Sequence, residues 1–171
     1  EIGPKTDLET LPALKDVYIT MLPGGDYKET AEQSKNLVQK GYNPIPHFPA
    51  RSIENEAQLK EYISMCRDGG TKQVLVIGGS REPIGKFDSS IQVLETGYFE
   101  DMKIGIAGHP EGSPDISDSK LEKAMKDKKP YADYIVTQWL LDPQPIIDFI
   151  SKQSVPVHVG ITGPLKISSL I

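Results

Sequence analysis

The chain has 171 residues, 37% of them hydrophobic and 25% charged, which suits one domain with a real core and gives no sign of disorder. Nineteen basic residues are interleaved with twenty-four acids for a net charge of −5, so the basic stripe that nucleic acid requires is missing. A single cysteine, Cys66, excludes an intramolecular disulfide and multi-cysteine zinc patterns, and no apolar run approaches the roughly 20 residues of a membrane helix. With no signal-like segment at its start, the expectation is a cytoplasmic protein acting on a small molecule.

In chain order, Glu1–Gly3 reads as the tail of an earlier strand. Short runs rich in β-branched residues then recur at 16–21, 43–47, 73–78, 103–107, 133–137 and 155–159, each with the look of a buried strand. Between them lie amphipathic stretches of helical length at 27–40, 52–67, 88–96, 118–129 and 143–152. Start signals support several of these, notably Ser52 with Glu54 and Asn55, and Asp142 followed by Pro143. Residues 161–171 read as a loop turning into a helix.

Strands that alternate with helices pair in parallel through crossovers, and the even pace of the six runs matches the βα unit of a (β/α)8 TIM-type barrel. The expectation is an α/β barrel, incomplete at its C-terminal end, with residues 1–171 forming one partial catalytic domain. An open doubly wound sheet is the alternative. Its glycine loop should follow the first strand, but Met21–Asp26 has the wrong spacing and contains a proline.

A barrel collects its chemistry where the strands end. Those positions are Glu1, Thr20, His47, the Gly78-Gly79-Ser80 turn, His109, Glu111, Thr137 and Gln138. A polar residue at nearly every strand end points to a ligand-binding face. Each position also has a structural reading: His47 as a core histidine bonded to a carbonyl, Gly78-Gly79 as a tight turn, Thr20 and Thr137 as ordinary strand residues. For His158, inside the last strand, the structural reading is the stronger one. The segment from Ala107 to Pro114 fixes a histidine and a glutamate between prolines and glycines, which suits a binding loop. Three scattered histidines with no HExxH spacing argue against a metal site, and no Gly-x-Ser-x-Gly elbow or P-loop lysine is present.

Five motifs taken together, 46–51 (Pro-His-Phe-Pro-Ala-Arg), 76–80 (Val-Ile-Gly-Gly-Ser), 104–112 (Ile-Gly-Ile-Ala-Gly-His-Pro-Glu-Gly), 135–138 (Ile-Val-Thr-Gln) and 160–164 (Gly-Ile-Thr-Gly-Pro), give the chain a form that resembles methylenetetrahydrofolate reductase along its whole length. The resemblance implies a (β/α)8 barrel that binds FAD across its strand ends. It implies hydride transfer from NADH or NADPH through the flavin to 5,10-methylenetetrahydrofolate, giving 5-methyltetrahydrofolate. Glu1 falls on the family's proton donor, which protonates the leaving nitrogen as the imidazolidine ring opens. That step needs a carboxyl of raised pKa in a partly dry site.

By the same resemblance Thr20, His47, Ala107 and His109 fall on flavin contacts, with Gly79 and Ser80 beside them, and Lys128, or Lys126 in a shifted register, on a lysine that meets the cofactor phosphates. Gln138 falls on the folate-contacting glutamine, and Glu111 is placed with the substrate. The sequence also departs from the pattern. Ser80 stands where an aspartate is usual, His109 where a tyrosine is, Ser113 where a histidine is, and the link at 128–133 is short. The folate is the implied partner and a homo-oligomer is compatible with it. A flavin-independent folate reductase and a folate-binding accessory barrel remain as alternatives.

Overall fold

The computed structural model describes residues 1–113 and 116–161. Pro114, the 162–164 part of the last motif and the expected helical turn in 162–171 lie outside them. Six strands alternate with five helices: β1 Asp16–Ile19, α1 Tyr27–Gln39, β2 Asn43–Pro49, α2 Glu56–Asp68, β3 Gln73–Ile77, α3 Ser90–Leu94, β4 Lys103–Gly108, α4 Asp118–Lys128, β5 Tyr134–Trp139, α5 Gln144–Ile150 and β6 Val157–Gly160. All neighbours are parallel and the spatial order is the chain order, β1 to β6. A doubly wound sheet reverses its strand order partway, so the open-sheet alternative is excluded.

The sheet is curled. Flat, five inter-strand steps would separate β1 from β6 by roughly 24 Å. Yet Tyr18 Oη on β1 lies 2.5 Å from His158 Nδ1 on β6. Glu1–Gly3 extends the sheet past β1, as the sequence led us to expect: Ile2 bridges Ile19 in parallel, its N–H donating to Tyr18 O and its carbonyl accepting from Thr20 N, each at 2.9 Å.

The convex face carries the main core. Phe48 stacks on Tyr62 of α2 with ring centroids 4.0 Å apart and meets Phe99 edge-on at 5.2 Å, while Val74, Val76, Ile106 and Ile135 join the same cluster. Aromatic pairs of this kind add about 0.5–1.5 kcal/mol beyond area burial. The concave face is filled differently. Its register runs Leu75–Gly105–Tyr134 across three strands, and the Tyr134 ring lies over Gly105 and stacks on His158 at 4.6 Å. A β-carbon on Gly105 would sit 2.6 Å from Tyr134 Cζ. Glycine there makes room for the ring.

Local chemistry sets the element ends. The α2 helix begins at Glu56, not Ser52, because Asn55 accepts from Gln58 N at 3.0 Å while the Gln58 side chain accepts from Glu54 N at 2.6 Å, a reciprocal cap. Residues Ala50–Ser52 form a 3-10 turn instead. The α3 helix is shorter than the 88–96 pattern suggests, and the chain turns at Gly97 with φ +70. In β2, Asn43 donates to Lys15 on the β1 side, so Pro44 and Pro46 turn their missing N–H groups toward β3. Pairing with β3 accordingly begins only at His47. At the other edge Ile147, Ile150, Val159 and Ile161 leave an apolar surface exposed around β6.

Gly105→Ala should destabilise the fold by about 1–3 kcal/mol through overpacking against Tyr134, read as a lower midpoint in urea denaturation. A Tyr134→Ala background should remove most of that penalty, and an equal loss in both backgrounds would break the link between Gly105 and the ring.

Candidate active site

Three of the expected residues meet at the strand ends of β1 and β2. The pairing of Ile2 with β1 sets Glu1 beside Thr20, whose hydroxyl donates to Glu1 Oε1. The same carboxylate oxygen stands 3.8 Å from His47 Nε2. His47 is 8% exposed, and its backbone carbonyl accepts the Tyr62 hydroxyl at 3.0 Å. The Tyr18 ring meets the imidazole edge-on at 6.3 Å. Burial pushes the His47 pKa below its ordinary value, more strongly than the Glu1 carboxylate pulls it up. A neutral imidazole therefore faces the carboxylate, and the contact is a dipole on a charge and not an ion pair. The Glu1 side chain is itself 57% exposed. The chain alone does not supply the dry surroundings expected for a proton donor.

After β3, Gly79 takes φ +93, a conformation that favours glycine, and a β-carbon there would lie 3.4 Å from Pro49. The Gly78 carbonyl accepts Arg51 N at 3.0 Å, tying this turn to the end of β2, and Ser80 is exposed. Nothing lies within 4 Å of a β-carbon built on Gly78. Gly78 thus leaves open space, while Gly79 packs its turn against Pro49 and Arg51, and Ala107 is half-buried.

On β4 the Ala107 carbonyl accepts Lys128 Nζ at 3.1 Å. Lys128 is buried, and burial alone lowers its pKa. No ion pair joins it among the described residues. His109 Nδ1 and Glu111 Oε1 face each other at 3.4 Å across the turn closed by Gly112 N–H to His109 O. They bond to each other and make no bond to Glu1, Thr20 or His47. On β5, Gln138 is exposed, while Thr137 is buried with its hydroxyl accepting Gly160 N at 3.1 Å. Thr137 is thus a sheet residue, as its structural reading had it.

Sequence reasoning missed the floor of this face. Tyr18 and Tyr134 reach across it to His158, and the Tyr134 hydroxyl donates to Val74 O at 2.9 Å. The signal was the two-residue period: Tyr18 shares a strand face with Thr20. Clefts of about 320 and 380 Å³ open elsewhere, one between Glu56, Lys86 and Tyr98, the other between Lys5, Lys28 and Gln33. Neither touches a strand-end residue. Among the described residues no group of three or more His, Cys, Asp or Glu side chains is placed to hold a metal ion, and no helix is long and apolar enough to cross a membrane.

No family model matches the chain. A curated relative, methylenetetrahydrofolate reductase 1 of Schizosaccharomyces pombe, is 25% identical over 166 residues, an alignment that covers 85% of this chain and 27% of the relative. The chain thus spans about a quarter of that relative's length. Two solved structures from Burkholderia cenocepacia share the fold. One, provisionally named a lyase/mutase, superposes with a TM-score of 0.65 at 13% identity over 90% of this chain and 63% of its own. The other, provisionally named a phosphonomutase, gives 0.58 at 15% identity over 85% and 67%. At those identities the likeness is one of fold: an α/β barrel of which this chain shows a curled, parallel, six-stranded part.

The lowered His47 pKa has a consequence for stability. The folded protein favours the neutral ring, so the unfolded chain binds more protons as pH falls. Stability that is complete above the unfolded value of about 6.5 is lost as pH drops toward the lower folded value. Urea midpoints should therefore fall more between pH 7 and pH 5 in the unsubstituted protein than in His47→Gln. Equal falls would show that His47 is not held neutral.

Proposed function

We propose that this chain is barrel sequence of a methylenetetrahydrofolate reductase, reducing 5,10-methylenetetrahydrofolate to 5-methyltetrahydrofolate with a hydride that passes from NADH or NADPH through FAD. The observation that carries the reading is the Glu1–Thr20–His47 cluster: the residue matching the family's proton donor is bonded to one residue that matches a flavin contact and faces another. The distant relative in fission yeast bears the same activity in its name.

The strand ends suit a flat, polar-edged group. Gly78 leaves open space and Ala107 is small, while Thr20 and His47 offer polar groups at the ends of β1 and β2. FAD, when bound there, supplies the two-step hydride relay. In this reading Glu1 delivers its proton to the imidazolidine nitrogen that leaves as the ring opens, and the methylene carbon becomes an electrophilic iminium that accepts hydride. Thr20 and His47 orient the carboxyl. A neutral His47 adds no positive charge that would hold the carboxylate form, whereas a protonated one would. Because the Glu1 side chain is 57% exposed, the ligand itself must cover it and exclude water before its acidity can be tuned. Gln138, exposed at the end of β5, is available to the pterin edge.

Ser80 favours a second reading. Without a carboxylate at that turn the flavin loses a charged neighbour, and direct hydride transfer from nicotinamide to folate is the enzyme that remains. Purified protein should be yellow, bleach with NADH or NADPH, and recover with methylenetetrahydrofolate. A colourless protein that takes up no FAD yet oxidises nicotinamide in the presence of the folate supports the second reading, and one that does neither overturns both. Glu1→Gln should cut folate reduction by at least about 100-fold while sparing nicotinamide oxidation by the flavin. An unchanged folate rate would remove Glu1 from the mechanism.

A further inference from the structure

The chain has three arginines, and two are spent on structure. Arg67 forms a fork with Asp101, at 2.7 and 2.6 Å, and also holds Tyr98 O. Arg51 donates from Nε to Asp88 O at 2.8 Å. The Arg51 backbone is fixed from both sides, its N–H on Gly78 O and its carbonyl on Ile84 N at 3.1 Å, and Lys86 N holds Glu54 O at 3.0 Å. These bonds pin the loop between β3 and α3 against the start of α2. That loop carries the third arginine, Arg81.

Arg81 is half-buried, and no hydrogen bond or ion pair engages its guanidinium among the described residues. It does not simply extend into water. A β-carbon built on Gly24, in the turn after β1, would lie 3.8 Å from Arg81 Nη1. In the sheet β2, the strand bearing His47, lies between β1 and β3, so Arg81 links the loops on either side of that strand. Five N–H donors on a pinned loop, reaching the turn that follows Thr20 and β1, are thus left without an acceptor among the described residues. A guanidinium so placed selects a planar or tetrahedral oxyanion.

We propose that Arg81 is the anion-binding arm of the strand-end face, taking a phosphate or carboxylate group of the ligand held there. The proposal rests on reading that face as the binding site and does not require hydride transfer.

The test measures binding of FAD, of riboflavin, which has the same ring without phosphate, and of tetrahydrofolate, to the unsubstituted protein, Arg81→Ala and Arg81→Lys. Melting temperatures should be unchanged, since Arg81 bonds to nothing in the described fold. Arg81→Ala should weaken FAD or tetrahydrofolate by at least about tenfold, leave riboflavin unaltered, and be partly restored by Arg81→Lys. A loss confined to FAD identifies a phosphate as the partner, and one confined to tetrahydrofolate a carboxylate. Equal affinities across the variants overturn the proposal. If the unsubstituted protein binds none of the three, the reductase reading fails separately. Inorganic pyrophosphate and citrate then decide: calorimetric binding lost in Arg81→Ala upholds the arm, and no difference removes it.

Discussion

The contact between Tyr18 and His158 holds the molecule in its shape. It joins the first strand to the last across the concave face, and adds a side-chain bond to the coiling that the twisted parallel ladder and its crossovers impose. On the curled sheet, residues as far apart in the chain as Glu1, Thr20 and His47 meet. The curl depends in turn on Gly105, because the Tyr134 ring that stacks on His158 occupies the space its side chain would fill. A missing β-carbon on β4, a ring on β5 and a hydroxyl on β1 form one packing unit. Burial pushes both tyrosine hydroxyls well above the ordinary phenol range, so they act as neutral hydrogen-bonding groups.

Above that floor the face is polar but uneven. Around β1 and β2 the polar groups engage one another: Glu1 with Thr20, His47 with Glu1 and, through its carbonyl, with Tyr62. Around β4 His109 and Glu111 form a separate pair, and Lys128 is turned onto a backbone carbonyl. The β3 turn offers small residues, an exposed serine and an arginine with no acceptor among the described residues. The face thus combines one hydrogen-bonded polar cluster, one stretch of small residues and one cation with no acceptor among the described residues. Glu1 remains the most open member of that cluster, its side chain 57% exposed.

The strands and helices were legible because each reports locally. Runs such as Gln73–Ile77 and Tyr134–Trp139 announce themselves by β-branched content, and the reciprocal cap at Asn55 and Gln58 lies within four residues of chain. The parallel order followed from alternation. The strand-end list was legible too, because a barrel puts those positions on one face whatever the residues between. Not legible were the pairs that depend on side-chain reach across many residues, above all Tyr18 with His158 and the bonding of His109 to Glu111 but to none of the β1–β2 cluster. Nor did the sequence distinguish Arg51 from Arg81; only the acceptor within reach of each makes one a strut and the other free.

By itself, then, the sequence determined the α/β alternation, the parallel sheet and the identity of the residues that gather at its ends, because these follow from periodicity and from the connectivity that periodicity forces. Tertiary structure decided which of those residues touch, which are buried and which stay unpartnered. Those outcomes depend on distances of a few ångströms between groups that the chain separates by up to 140 positions, and no local pattern encodes them.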